Sequence, residues 1–460
     1  MTQTKQVQTK RRKFPPILFI FLGLGCWFLF SRVQGMWKTN SGIGSIGNRS
    51  LISEKVTPDK QKGIEAFAKG DYQSAIASFK SSLARNPNDP ETLIYLNNAQ
   101  AGNNALKIAV SVPIGNNLNV AQEILRGVAT AQDEINQKGG INGKKLQVEI
   151  VNDENNPEIA KKIAQELVKD PQVLGVVGHN SSDVSLAAAP IYQRGGLVMI
   201  SPTSSANNLS GIGQYIFRTV PTTKLMAEAL ANYAVNTARK TKIAYCYDSQ
   251  SPGNISFKDE FVAAFVSKGG RFIPTVCDLS TPNFNPDLAV SEAINSGADA
   301  LFIASHVDRI DAAVSLAKVN QGRLALFSDP TMYTVKTLQV GQQAVNGLTL
   351  VAPWHPQVNP YLAETMRQRW RGTVNWRTAT AYDATQAIIA GLQPGTSRDM
   401  PPARWRDRLP QALHNPGFTV SGATGALRFA PSGDRIGNPV IIQVQSNGSN
   451  YQFAMLSKTP

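Results

Sequence analysis

The chain has 460 residues, 42% of them hydrophobic and 17% charged, and a formal net charge of +14, enough length for two or three domains. Five of the basic residues fall in segment 1–13, and without them the charge is +9. No run of Arg and Lys interleaved with aromatics occurs beyond that segment, so nucleic-acid binding has no sequence support. The mild basicity instead suits contact with an anionic membrane or wall polymer, or simply solubility.

Residues 14–30, FPPILFIFLGLGCWFLF, carry no charge. With the mildly polar stretch to residue 36 they form a span long enough for a bilayer. The basic flank, residues 1–13, places the N-terminus in the cytoplasm and the rest of the chain outside. A cleaved leader is the competing reading, since LGLGC at 22–26 faintly matches a lipoprotein box. Cys26, however, is followed by apolar WFLF rather than a polar mature start, which favours an uncleaved signal anchor over 14–36. Residues 37–57 are rich in Gly, Ser and Asn and read as a flexible tether.

From Pro58 the apolar residues recur at helical spacing: Ile64, Phe67 and Ala68, then Tyr72, Ile76, Phe79 and Leu83. Gly70-Asp71 and Asn86-Pro87 punctuate two short antiparallel helices within 58–104. Gly63, Gly70, Tyr72, Ala75, Phe79 and Pro87 resemble a tetratricopeptide repeat, with PETLIYLNNA opening a second. About one repeat and a third is too little to bury a core alone. The segment therefore either packs on its neighbour or serves as a small docking module for a protein partner; an ordinary helical spacer is the plainer alternative.

From Lys107 onward strands and helices alternate. The strands are KIAVSV, KLQVEIV, VLGVVG, LVMIS, KIAYCY, RFIPTV, ADALFIA and LALFSD, and helices begin near Val120, Pro157, Ser181, Lys224, Ile255, Pro286 and Val307. Such alternation implies parallel sheets covered on both faces, and a break at FRTVPTTK divides the strands between two α/β lobes. Cys246 and Cys277 sit in consecutive strands. In an oxidising compartment they either form a disulfide or stay as reduced core thiols.

The stretch 173–205 combines two strand ends with two hydroxyl-rich helix starts, GHNSSDVS and MISPTSSANN. The first turn of a helix offers unpaired N–H groups and partial positive charge, and in open α/β sheets ligands collect at the carboxyl ends of strands. Ser181, Ser182, Thr203, Ser204 and Ser205 would supply directional hydroxyls around a small anion such as a carboxylate. Each is also an ordinary capping or turn residue.

Residues 107–460 resemble the type I periplasmic binding proteins, and within them the leucine/isoleucine/valine-binding group. The residues that carry the likeness are KIAVSVPIG, GVATAQDEINQKGGINGKKLQVEI, DENNPEIAKKIAQELV, GHNSSDVSLAAAPIYQ, MISPTSSANNL, FRTVPTT, AYDATQAIIAGL and SGATGALRFAPSGDR. The resemblance implies two lobes joined by three crossovers, lobe 1 at about 107–220 and 348–418 and lobe 2 at about 221–347 and 419–460. It implies an amino acid or similar polar solute trapped between them for an ABC permease. Its carboxylate would meet the Ser181/Ser182 helix start, and its ammonium the Thr203 carbonyl and Ser205 hydroxyl. Asp329, at the end of LALFSD, is placed either as counter-charge to the ammonium or as cap of the PTMYTV segment.

The chain departs from that pattern in lobe 2. Pro252 precedes Gly253 where the family commonly has an aromatic, and the strand end FIASHVDR offers His306 and Asp308 in place of aromatic contacts. His306 is a ligand contact, a pH-sensitive hinge group or a solvated strand-end residue. Loss of an aromatic wall speaks against a leucine-like ligand and leaves a polar amino acid, an amide, a urea-type solute or a non-amino-acid open.

Catalysis has little support. The four histidines show no metal-binding spacing, and no nucleophile elbow or phosphate-binding loop is present. No cofactor is expected. The other function class open to the sequence is a membrane-tethered sensor or scaffold with a degenerate cleft, its helical hairpin recruiting a protein.

Overall fold

A computed structural model describes residues 43–54, 56–275, 277–393, 400–448 and 450–458. The charge-free segment 14–36 lies outside the described residues. Among the described residues no helix is long and apolar enough to cross a membrane.

Residues 44–52 are not a loose tether. Gly44 and Ser45 (β1) pair antiparallel with Val151 and Ile150, adding an edge strand to the first sheet. The loop that follows is held by a carboxylate 40 residues on: Leu51 and Ile52 donate their N–H groups to Glu91 Oε1 at 2.6 and 3.3 Å. Gly/Ser/Asn composition carries no signal for such a distant partner, which is why the tether reading fails here.

Three helices follow, Pro58–Ala68 (α1), Tyr72–Arg85 (α2) and Pro90–Ala101 (α3), capped by Thr57, Asp71 and Asp89. Gly63 permits close packing of the first two, since a Cβ there would lie 2.5 Å from the Phe79 ring. Residues 90–99 of α3 are all buried. Asn98 in α3 receives the Val148 N–H at 2.9 Å and donates to the Val148 carbonyl at 2.7 Å, satisfying backbone groups an edge strand would otherwise leave open. Within 58–104, α3 packs into lobe 1.

Lobe 1 is built on Leu106–Val112 (β2), Leu146–Asn152 (β3), Val173–Val177 (β4), Met199–Ser201 (β5) and Ile216–Arg218 (β6), in a six-stranded sheet ordered β1-β3-β2-β4-β5-β6. Helices Leu118–Gln137 (α4), Pro157–Lys169 (α5) and Ser182–Arg194 (α6) connect the parallel strands. The near-continuous burial of β2 and β4 follows from cover on both faces.

Lobe 2 contains Lys242–Tyr247 (β7), Arg271–Ile273 (β8), Ala300–Ala304 (β9), Ala325–Ser328 (β10) and Thr349–Ala352 (β11), with helices Thr223–Asn232 (α7), Pro252–Ser267 (α8), Pro286–Asn295 (α9), Ile310–Asn320 (α10) and Val335–Gly341 (α11). The chain then returns to lobe 1 as Pro360–Trp370 (α12), Trp376–Leu392 (α13) and Pro402–Leu413 (α14). A small sheet of Val420–Gly422 (β12), Gly425–Phe429 (β13) and Arg435–Ile436 (β14) follows, and Val440–Asn447 (β15) and Asn450–Lys458 (β16) complete the seven-stranded lobe 2 sheet, β16-β15-β11-β10-β9-β7-β8.

Two lobe boundaries differ from expectation. Residues 348–352 belong to lobe 2, because β11 pairs with β10 and β15. Residues 419–436 belong with lobe 1: Arg218 donates its N–H to the Gly433 carbonyl at 3.1 Å, and its Nε meets Asp434 at 2.6 Å. Short strands such as β6 and β11 have too few residues for periodicity to assign them. Cys246 and Cys277 are joined as a disulfide, their Cα atoms 4.7 Å apart.

Candidate functional site

The turn between β4 and α6 is fixed from beneath. His179 is fully buried, its Nδ1 2.7 Å from Asp153 Oδ2 and its Nε2 3.2 Å from the Tyr192 hydroxyl. Asp153 also accepts from Ser111 Oγ at 2.9 Å, while the His179 carbonyl accepts from Ser201 Oγ at 2.8 Å. His179 thus spends both ring nitrogens on the core and none on Ser181, and the two do not form a nucleophile and base.

Above this support lies a cavity of about 70 Å3 between the lobes. Ser181, Ser182, Thr203 and Ser205 line it from lobe 1. Ser182 Oγ accepts from the Ser205 and Ala206 N–H groups, both at 3.2 Å, and Thr203 Oγ1 donates to the Asn180 carbonyl at 2.5 Å, so the two helix-start loops hold each other. Ser181 stands at the N-cap of α6 but makes no side-chain cap bond. Ser204 departs from expectation. Its hydroxyl turns inward to Ser185 Oγ at 2.6 Å and to the 179–181 carbonyls, bracing the turn rather than lining the cavity.

From lobe 2 come Ser251, Gly253, Asn254, Ser305, His306 and Asp329. Asn254 Nδ2 donates to Asp329 Oδ2 at 2.8 Å and to the Ser305 carbonyl at 3.2 Å. These bonds orient the amide and leave Oδ1 as the free acceptor. Asp329 also receives the Thr331 N–H at 2.9 Å, so it is at once a cap and a wall of the cavity. Its burial raises the carboxyl to about 7, against the pull of those hydrogen bonds and of Arg377. His306 has Nδ1 3.3 Å from Asp308 Oδ2. Burial alone would lower its pKa, but Asp308, with Asp183 and Asp248, raises it on balance.

The aromatic wall that lobe 2 lacks comes from lobe 1. Trp376 and Arg377, in the first turn of α13, line the cavity with Val220, Met226, Pro330 and Pro353. The Arg377 guanidinium lies 4.4 Å from the Trp376 ring centroid, and its Nη1 reaches the Tyr333 carbonyl at 3.3 Å and Glu123 at 3.5 Å. Glu123 and Tyr333 also line a wider crevice of about 690 Å3, so the Arg377 contacts stand between the two spaces. Sequence reasoning missed this pair, although Asn375 before Trp376 is a cap signal that marks a helix start.

Nine buried side-chain nitrogens or oxygens among the described residues have no hydrogen-bond partner, and six belong to residues lining this cavity: Ser181 Oγ, Asn254 Oδ1, Ser305 Oγ, His306 Nε2, Trp376 Nε1 and Arg377 Nε. Buried polar groups are normally paired, so this concentration marks a place shaped for a polar guest. Among the described residues no group of three His, Cys, Asp or Glu could hold a metal. The lobes touch beside the cavity: Asn207 N and Nδ2 in lobe 1 meet Ser256 Oγ and Glu260 Oε1 in lobe 2 at 3.2 and 2.8 Å.

Comparison with known proteins agrees with this architecture. Residues 106–449 match the family described as periplasmic binding protein. The chain is 30% identical over 339 residues to the leucine-, isoleucine-, valine-, threonine- and alanine-binding protein of Pseudomonas aeruginosa, covering 72% of this chain and 87% of that one. The leucine-binding protein LivK of Thermotoga maritima shares the fold at a TM-score of 0.67 with 19% identity, over 76% of this chain and 98% of its own. So does a solute-binding protein of an ABC transporter from Rhodopseudomonas palustris, in complex with 3,4-dihydroxybenzoic acid, at 0.67 and 18%, over 78% and 98%.

Proposed function

This chain belongs to the periplasmic binding protein family and is a solute-binding protein, and on that premise we propose that it captures an amino acid by cleft closure and presents it for ABC-type import. One observation carries the reading: each lobe brings unpartnered polar groups to the cavity. Lobe 2 supplies the acceptor Asn254 Oδ1 beside the Asp329 carboxyl, together with Ser305 Oγ and His306 Nε2. Lobe 1 supplies the start of α6 with the free Ser181 hydroxyl. A zwitterion fits that arrangement, ammonium toward lobe 2 and carboxylate toward the helix start. The named ligands of the Pseudomonas relative are amino acids, which supports the same class.

A solute touching both lobes favours the closed state by the affinity difference between closed and open forms. Its ammonium would also draw Asp329 from the neutral toward the ionised form, since an adjacent positive charge stabilises a carboxylate. Thermal denaturation of the full chain against the individual amino acids tests the reading. A ligand at a hundredfold over its dissociation constant should add about 2.7 kcal/mol, and Ser182→Ala/Asp329→Asn should abolish the shift. No shift with any amino acid would contradict it.

Residues 14–36 are proposed to anchor the protein in the plasma membrane, with the bulk of the chain outside; carbonate extraction of membranes tests this. We further propose that the α1–α2 pair recruits a protein partner. Deletion of 58–100 would remove the buried helix α3, so the test is surface substitution on α1 and α2, read as loss of partner capture with ligand binding unchanged.

A further inference from the structure

Two of the unpartnered atoms on the residues that line the cavity are donors and nothing else. The Trp376 indole Nε1–H and the Arg377 Nε–H are both buried, their residues 4% and 3% exposed, and neither atom can accept a hydrogen bond. They sit on successive residues of one helix turn, the guanidinium stacked on the indole ring. Arg377 is further held by the Tyr333 carbonyl and Glu123, so the pair is fixed in place. Nothing in the α-carboxylate and ammonium of a zwitterion accounts for them: those ends are met by the α6 start and by Asn254 with Asp329.

We infer that the solute carries a second hydrogen-bond-accepting oxygen, on its side chain, that is received by Trp376 Nε1 and Arg377 Nε. This rests on the amino-acid reading above and narrows it to side chains ending in a carboxamide or a carboxylate. A leucine or valine side chain in the same place would bury two donors unpaired, and a site built around hydrogen bonds rejects an analogue that lacks the partner. The apolar lining from Val220, Met226 and Pro353 then surrounds the methylene part of the side chain.

The experiment is titration calorimetry of the full chain with glutamine, asparagine, glutamate and aspartate, against norleucine, leucine and valine. The expected result is binding of at least one amide or acidic amino acid roughly 100-fold tighter than any of the three apolar ones. The glutamine and glutamate arms tell a carboxamide from a carboxylate. Trp376→Phe keeps an aromatic side chain and removes the donor; it should weaken the preferred ligand by about tenfold more than it weakens norleucine, the effect of one hydrogen bond. Leucine or norleucine binding as tightly as glutamine and glutamate, or an unchanged preference in Trp376→Phe, would overturn this inference and leave the amino-acid reading standing. Binding of none of the seven, with no thermal shift from any other amino acid, would overturn both.

Discussion

Gly253 in lobe 2 faces Ser182 in lobe 1 so closely that a Cβ on the glycine would lie 2.9 Å from the serine Oγ. Ser182 Oγ is itself engaged by two backbone N–H groups, so it has little freedom to retreat. The glycine is thus a spacer that sets how far the cleft closes.

Replacing Gly253 by valine should therefore leave the fold intact and hold the lobes apart. Ligand affinity should fall by at least about tenfold, through faster dissociation, because closed-state contacts are what differential binding rewards. Stopped-flow dissociation together with an unchanged urea midpoint for the ligand-free protein checks this.

Asp329 gives a pH signature in two directions. Its carboxyl is raised from 3.8 to about 7 by burial, so between these values the folded state holds a proton that the unfolded state has released. Its contribution to stability is therefore present below pH 4 and is lost as pH rises toward 7, on the order of 4 kcal/mol. Ligand-free wild type should lose stability against Asp329→Asn across that window in urea titrations.

Amino-acid affinity should run the opposite way, weakening as pH falls below 7. Binding of an ammonium must then expel the Asp329 proton, at a cost of up to tenfold per pH unit. Calorimetry in buffers of different ionisation enthalpy should show the released proton.

The Cys246–Cys277 bond closes a loop with a sequence separation of 31 residues, and both cysteines are buried. Loop closure of that size is worth about 3–4 kcal/mol in the chain-entropy description. A Cys246→Ala/Cys277→Ala variant should lose about that much in denaturant titration, with ligand affinity unchanged, because neither residue lines the cavity.

Lys60 is buried with its Nζ 2.9 Å from Asp89 and 2.6 Å from Glu91. Burial alone would lower its pKa, but the two carboxylates raise it on balance. Lys60→Met leaves those carboxylates uncompensated and should cost about 3–5 kcal/mol. Hydrogen exchange should quicken over 44–101, where Glu91 also holds Leu51 and Ile52.

The long apolar strands and the capped amphipathic helices were legible in sequence because their periods and caps are local. Ser181, Ser182, Thr203 and Ser205 were likewise marked by their place at strand ends. Trp376 and Arg377 were not, since α13 reaches the cavity only after the chain has left lobe 1 and returned. Ser204 was misplaced because neighbouring residues after a strand point in different directions, a matter of rotation that composition does not encode. The packing of α3 and β1 rests on Asn98 and Glu91 meeting backbone groups some 40–50 residues away, beyond the reach of any local pattern.

The most direct test is native mass spectrometry of the full chain after incubation with an equimolar mixture of the twenty amino acids. The account predicts one bound amino acid per chain in wild type and none in Ser182→Ala/Asp329→Asn. A chain that carries no amino acid, or a double variant that retains it, would contradict the assignment of this cleft.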